Sequence, residues 1–594
     1  MKIKSFTVSL FALCVFSLSA QTVYYVDAEN GNDANPGTQE QPWATLNGNV
    51  ETWRATDCTI HLAEGSYDVV SKIFLGGNVE FVGAGVDKVF IQQCNDEDFE
   101  GDRYGNVPYV SNGFFDISGN KAVKMSNLTI KNLRVGDVEN TSTPYWGGAI
   151  TVQQGSSLEL NTVDFYHCII PVGGGAGIDC KGSLDLTNVR FTECEASLQG
   201  AAISLAGDAI GKFEGCSFVR NTGTTTIQVY PVETTADNVC ADLRFNNCYF
   251  DSNDYSKAQY GCGINVGNFY GHKLIFHVTN TTFANNLGNS AGCMFITTDI
   301  NKQRVIDMKV ENCIFMNNDM TTATHASVFS INGSSSNTLT GDITFANNTF
   351  YHNDRPEEST AGPVSDIFYN DQSVNLNFLN NIFLTTNGKG YGPVFSSDIQ
   401  YTKVNFKNNI FESVGGGENT MVIAFQDGGI KVGQSEDEEK GLEYIDGNTE
   451  VKLDLELIPQ GDYKAPYLRL QEGSVAIDAG YDDGGTLVPT LDIRGVGVYN
   501  EKKDVGAYEY DNGGSSSSVG MMVSPPLKVF VTNNMNTVAF SEEVANVKAF
   551  TINGAMVKDY SSVQSFDVSD WSRGAYILVV TDMEGNIYKF KVLR

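Results

Sequence analysis

The sequence predicts an all-β chain, a parallel β-helix solenoid followed by a small C-terminal β-sandwich. Three observations predict it. One short phrase recurs, as "LELNTVDF", "ITFANNTF", "LNFLNNIF" and "VNFKNNIF". The residues around it alternate with period two, and helical periodicity is almost absent between residues 55 and 430. The closing Phe of the phrase falls at Phe165, Phe191, Phe218, Phe250, Phe283, Phe315, Phe350, Phe383 and Phe411, spaced 26 to 35 residues apart. Periods of this size mean a solenoid, in which each repeat buries its apolar face against its neighbours.

Taken in chain order, residues 1–20 read as a signal peptide. Lys2 and Lys4 give a basic start, Phe6 to Phe16 an apolar stretch, and Leu18-Ser19-Ala20 a small-residue exit. Leu13, directly before Cys14, is too bulky for a lipoprotein signal. No other stretch approaches the length of a membrane helix, so no transmembrane segment is expected. Without the signal the chain has 37 basic and 71 acidic residues, a net charge of −34. That argues against nucleic acid and anionic lipid as partners. It suits solubility and is compatible with calcium; no cofactor is certain. Eleven cysteines remain, an odd number, and none forms a CxxC pair.

Residues 21–440 carry the coils and 441–510 a closing segment. In "LELNTVDF", Leu158 and Leu160 face one way and Glu159 the other, a strand with one buried face. Asn188, Asn247, Asn280, Asn312, Asn347, Asn380 and Asn408 stand three residues before the marker Phe. Asn tolerates the left-handed backbone of a tight corner. Three residues after the marker stand Asn221, Asn253, Asn286, Asn318 and Asn353, with Cys168 and Cys194 at that place in the first two copies. Stacked coils let such amides bond one another along the axis. Cys216, Cys248 and Cys313, two residues before their markers, read as small buried fillers.

Both ends of the solenoid need covering. "YYVDAENGNDANPGTQEQPWATL", from Tyr24, resembles the opening of exported right-handed β-helix proteins, the pectate-lyase-like superfamily. That resemblance implies the right-handed fold and a polysaccharide-related role. Asp27, Asp33 and Asn35 read as turn formers. Leu468 to Tyr510 resembles the segment that closes many bacterial β-helix proteins; Asp478, Asp492, Arg494, Asp504 and Glu509 match its polar positions and read as a buried lock. Residues 511–524 are a Gly/Ser linker. Residues 525–594, with "SRGAYILVV" and a closing basic-apolar strand, resemble the C-terminal sorting domain of the type IX secretion system of Bacteroidota. This implies that secretion machinery as a partner, and a secreted or outer-membrane-surface location after both terminal segments are removed.

The motifs of this fold's lyases and pectin hydrolases are incomplete. "DRPEES" at Asp354 has the Arg-Pro step alone, and "YGHK" at Tyr270 stands in for Gly-His-Gly. Two candidate sites remain. His167, Glu193 and Arg220 lie two residues after consecutive markers, so stacking brings them together as a candidate catalytic trio. Tyr255, Lys257, Tyr260, Tyr270, His272 and Lys273 place aromatic and basic residues together for stacking on sugar. A metal site is unassigned. The expected function is recognition of extracellular polysaccharide or glycan along the flank by a monomer. The alternatives are a polysaccharide lyase, before a hydrolase, and a structural or adhesive surface protein.

Overall fold

The structure is a computed structural model. It describes residues 22–593 apart from residues 70, 94–112, 137–143, 231–239, 258–260, 268–271, 290, 299–303, 322–325, 327, 334–338, 354–367, 371–373, 385–393, 397–403, 412–420, 426–427, 432–441, 452, 454, 459–465, 499–501, 511–528, 533–536, 552–555, 570, 572–574 and 583–586. The signal peptide, the linker, Tyr260 and Tyr270 lie outside the described residues.

Two compact units divide the chain, one made of residues up to 493 and 497–510, the other of 494–496 and 511–594. The first is a right-handed parallel β-helix. One coil runs Ser183–Thr187, Arg190–Thr192, Glu195–Ala196 and Ile203–Ala206. The next runs Ile210–Glu214, Ser217–Val219, Thr222–Gly223 and Thr225–Tyr230. Each strand pairs in parallel with its counterpart, Phe191 against Phe218 and Ile203 against Ile227. Among the described residues the first two strands of each coil join a 27-stranded sheet and the fourth a 13-stranded sheet.

The marker phenylalanines form one continuous stack through the core. From Phe165 to Phe411 successive rings lie 4.5–5.2 Å apart and nearly parallel. From Phe165 to Phe350, two left-handed corners flank each short marker strand. The first falls on the predicted asparagines, with φ of 49° at Asn280 and 55° at Asn380. Gly215 takes that place in its own coil, at φ 62°. The second corner falls two residues after the marker, at His167, Glu193, Arg220, Ser252, Asn285, Asn317 and His352.

The predicted amide ladder forms. Asn221 Nδ2 donates to Asn253 Oδ1 at 3.0 Å, and the chain continues through Asn286 and Asn318 to Asn353 at 2.8–2.9 Å. Each amide also donates to a marker carbonyl of the preceding coil, as Asn286 does to Phe250 O. A second ladder, not anticipated, runs through Asn348, Asn381, Asn409 and Asn448. It continues the position held by Cys216, Cys248 and Cys313, which are buried free thiols.

At the N-terminal end, Thr22–Val26 pairs with Cys58–Leu62, and the short helix Val50–Trp53 buries Trp53 against Phe81. Asp33 accepts the Ala44 and Thr45 amides, Asp27 those of Glu29 and Asn30, and Asn35 donates to Pro42 O. All three are turn formers, as expected. The closing segment follows a different course from the one its name implies. It runs along the flank of the last coils. Asn312 donates to Leu491 O, Asn380 to Tyr481 O and Asn408 to Ala479 O. Its apolar residues Leu468, Ala507 and Tyr508 pack on Ala284, Ile314 and Met316. This explains why the late repeats read "IFM" and "IFL": both faces of those short strands are covered. Asp504 accepts the Asp478 amide and Asp492 that of Glu509.

The second unit has five antiparallel strands, Val529–Thr532, Thr537–Thr551, Met556–Asp567, Ala575–Asp582 and Ile587–Leu593. Its own core includes Val547, Phe566, Trp571 and Leu578. The long second strand pairs with the third along both halves, across a register shift between Ala539 and Val544, while on its other edge the first half pairs with the first strand and the second half with the fourth. Among the described residues no helix is long and apolar enough to cross a membrane.

Candidate functional site

Stacking brings the predicted trio together. His167 Nε2 lies 2.7 Å from Glu193 Oε2, and Arg220 Nε donates to Glu193 Oε1 at 3.0 Å. Burial pushes the Glu193 carboxyl up, but the bonds from His167 and Arg220 outweigh it and hold it below the usual range. Both carboxylate oxygens are therefore engaged. The His167 side chain is 6% exposed, and the Tyr166 ring lies on it with centroids 3.8 Å apart. This arrangement supports an ion-pair ladder at a corner. All three residues also hold the left-handed backbone, which costs a side chain other than Asn or Gly about 1 kcal/mol or more. Glu193→Asn places the residue of Asn285 and Asn317 at the same corner. It is expected to change stability by less than about 1 kcal/mol, because backbone relief offsets the partly exposed Arg220 pair and an asparagine amide can still bond His167. Thermal unfolding of the full chain checks this; a loss of several kcal/mol would mark the ladder as a main support.

Of the second predicted set, Tyr260 and Tyr270 lie outside the described residues, and the four described members have separate surroundings. Tyr255 is fully buried with its hydroxyl bonded to Thr226, so its ring is packing and offers no face to a ligand. Lys273 is paired with Asp307 at 3.1 Å on an outer strand face. His277, on the same strand, also reaches Asp307. His272 is exposed. Among the described residues of the set, Lys257 is the one that lines a groove.

That groove was not foreseen. It has a volume of about 500 Å³ and lies between the third strands of three coils and the 13-stranded sheet. Glu195, Thr222 and Asp254 form one wall, in register across the coils. Gln228 and Asn265, neighbours in the sheet, form the other. Leu198, Gln199 and Thr224 line the corner between them. Two strand spacings, about 10 Å, separate Glu195 from Asp254. Asn265 is 7% exposed, and among the described residues its Oδ1 finds no hydrogen-bond partner. An amide oxygen in that condition costs free energy unless a donor reaches it. The sheet sets Asn265 there because Ile264 and Val266 point into the core, so the residue between them must face outward.

The same outward column continues through Gln228, Ser204, Asp179, Thr151 and Asp116. Asp116 is held by Lys72 and Gln153, each at 3.1 Å. Burial raises the Asp179 carboxyl to about 6, and Tyr230 donates to it at 3.4 Å. Among the described residues no group of three or more His, Cys, Asp or Glu is set to hold a metal ion.

Against known proteins, the family described as "Right handed beta helix region" matches residues 112–302. A family described as "Protein of unknown function (DUF1565)" matches residues 29–169. No curated protein matches the sequence. Among solved structures, the complex of XylC with xylose is 11% identical, with a TM-score of 0.36 over 82% of this chain and 98% of that one. PfbA, a surface adhesin of Streptococcus pneumoniae, is 12% identical, with a TM-score of 0.37 over 70% and 91%. A mannuronic acid specific polysaccharide family 6 lyase from human gut microbiota is 10% identical, with a TM-score of 0.30 over 73% and 92%. Likenesses this distant assign no residue and no activity; the chain carries a right-handed β-helix region.

Proposed function

We propose that the chain binds carbohydrate in the groove between Glu195, Asp254, Gln228 and Asn265. The observation that carries this is the Asn265 amide oxygen, without a partner among the described residues, in a groove whose lining mixes hydroxyls, amides and carboxylates with Ala196, Leu198 and Lys257. A sugar hydroxyl reaches the Asn265 amide once its buried oxygen turns toward the groove, and neighbouring hydroxyls serve the Glu195 and Asp254 carboxylates and the Gln228 amide. The volume falls in the range of small-ligand sites. Asn265→Ala is a sensitive probe, because removing an unsatisfied group does not destabilise the fold. The full chain should bind defined oligosaccharides on a glycan array. Asn265→Ala should lower that affinity roughly tenfold with unfolding unchanged. A full chain that binds no carbohydrate, or a variant that binds as well as the parent, sinks the reading.

We also read the chain as secreted and surface-displayed, with residues 525–594 acting as the type IX sorting domain. The five antiparallel strands with their own core support an independently folded C-terminal module. Deleting Pro525 to Arg594 should leave the protein in the periplasm; surface delivery of the truncated chain would end this reading.

A further inference from the structure

We infer that the groove is one end of a longer site for a linear, uncharged oligosaccharide, with Trp146 as its stacking platform; this rests on the carbohydrate reading above. Two routes through the structure lead from the groove to Trp146. Along the coils, Gln199 bridges Gly174, and Gly174 pairs with Trp146. Trp146 therefore stands two strand spacings, about 10 Å, from the groove along the helix axis. Across the sheet, Tyr230 lies two residues beyond the groove residue Gln228, and its ring centroid is 6.3 Å from that of Trp146.

The residue between the platform and the groove has no side chain. A Cβ on Gly174 would stand 2.2 Å from Gln199 O, so the column must pass through glycine here. The floor between Trp146 and the groove is correspondingly bare. Trp146 itself is 46% exposed, whereas Trp43, Trp53 and Trp571 are buried. Tyr230 is fixed from below by its bond to Asp179 and so props the indole from one side. An exposed, supported indole beside a polar groove suits the apolar face of a sugar ring, while the groove takes hydroxyls.

Charge sets the sugar class. Among the described lining residues, Glu195 and Asp254 face one cation, Lys257, and none is an arginine. An anionic sugar would meet net negative charge without a bidentate partner for its carboxylate. A neutral chain meets acceptors and donors that match its hydroxyls.

The test titrates the full chain with neutral xylo-, manno- and cello-oligosaccharides, disaccharide to hexasaccharide, and with oligogalacturonates of the same lengths. Calorimetry gives the affinity, and iodide quenching of tryptophan fluorescence reports on Trp146. Neutral hexasaccharide should protect the indole from iodide and lose about tenfold in affinity in Trp146→Ala, with Trp146→Phe restoring most of it. The disaccharide, filling the groove alone, should bind both variants equally and depend on Asn265. Equal hexasaccharide affinity in parent and Trp146→Ala, with Asn265→Ala still impaired, overturns the platform and leaves the groove reading standing. Oligogalacturonate binding as tight as the neutral series overturns the charge argument. No binding by any of these sugars removes the carbohydrate reading, and this inference with it.

Discussion

Asn286→Ala is expected to destabilise the solenoid by about 3 kcal/mol. Asn286 Oδ1 accepts both the Asn253 backbone amide at 3.2 Å and its Nδ2 at 2.8 Å. Its own Nδ2 donates to Phe250 O at 3.1 Å and to Asn318 Oδ1 at 2.9 Å. Alanine removes all four bonds and leaves the Asn253 N–H buried and unpaired, while the Phe250 carbonyl, held in the parallel ladder opposite Phe283, loses its second donor. The orphaned N–H costs about 1–3 kcal/mol and the other lost bonds add to it, which exceeds the gain from burying a methyl group in place of the amide. In a solenoid, stability is the sum of coils and coil interfaces, so the damage falls at one interface. Hydrogen exchange should show lost protection centred on Asn253 and Asn286 and spreading to adjacent coils. Unchanged protection at those amides would show that the ladder adds nothing to the stacked phenylalanines.

The closing segment is expected to hold more tightly at pH 5 than at pH 8. Burial, and then the charge of Asp504, raise the Glu509 carboxyl from 4.5 to about 7. Burial raises Asp504 in the same direction. A carboxyl raised in the folded state keeps its proton there while the unfolded chain has lost it. Stability therefore falls as pH rises from about 4.5, and the loss is complete above about 7. For Glu509 the ceiling on this effect is about 3 kcal/mol. Carboxyls held low act oppositely: Glu193 and Asp307 lose their contribution as the solution becomes more acid than their lowered values. Those two lie outside the segment, whose own raised carboxyls weaken its hold as pH rises toward and past neutral. Hydrogen exchange of the Val505 and Gly506 amides, corrected for intrinsic rate, reads it directly, since these bond to Ala476 O and Asn380 O. Glu509→Gln should raise protection at pH 8 and flatten its dependence on pH. Protection that rises steadily from pH 5 to pH 8 would reverse the assigned sign.

Much of this protein was legible one letter at a time. The phenylalanine period gave the coil, because a parallel solenoid puts equivalent residues in register and a ring packs best on its copy. The asparagine columns gave the corners and one ladder, because few side chains tolerate the left-handed backbone. The doubled asparagines of "ANNTF", "LNNIF" and "KNNIF" also encode the second ladder. The first Asn of each pair turns the corner, and the second points inward. The meeting of His167, Glu193 and Arg220 followed from the same register. Even the outward column was spelled out, as "ITV", "IDC", "ISL", "IQV" and "INV", one polar residue between two core residues in each coil.

What the sequence could not show was which of these surfaces face one another. The groove joins Glu195 to Asn265 across three coils and two sheets, and loops of unequal length hide that adjacency from any local pattern. Tyr255 looked like a ligand-stacking residue beside its basic neighbours, but packing turned its ring inward onto Thr226. The closing segment looked like an end cap, yet it lies along the flank, because the outer faces of Ile314, Met316, Ile382 and Leu384 are apolar and need cover. Local rules of strand alternation and corner geometry act within a few residues, so the sequence by itself determined the coil, its register and its ladders. Burial is a property of the whole surface, so only the tertiary structure decided which polar residues stayed unpaired, which aromatic ring stayed exposed, and where a ligand could lie.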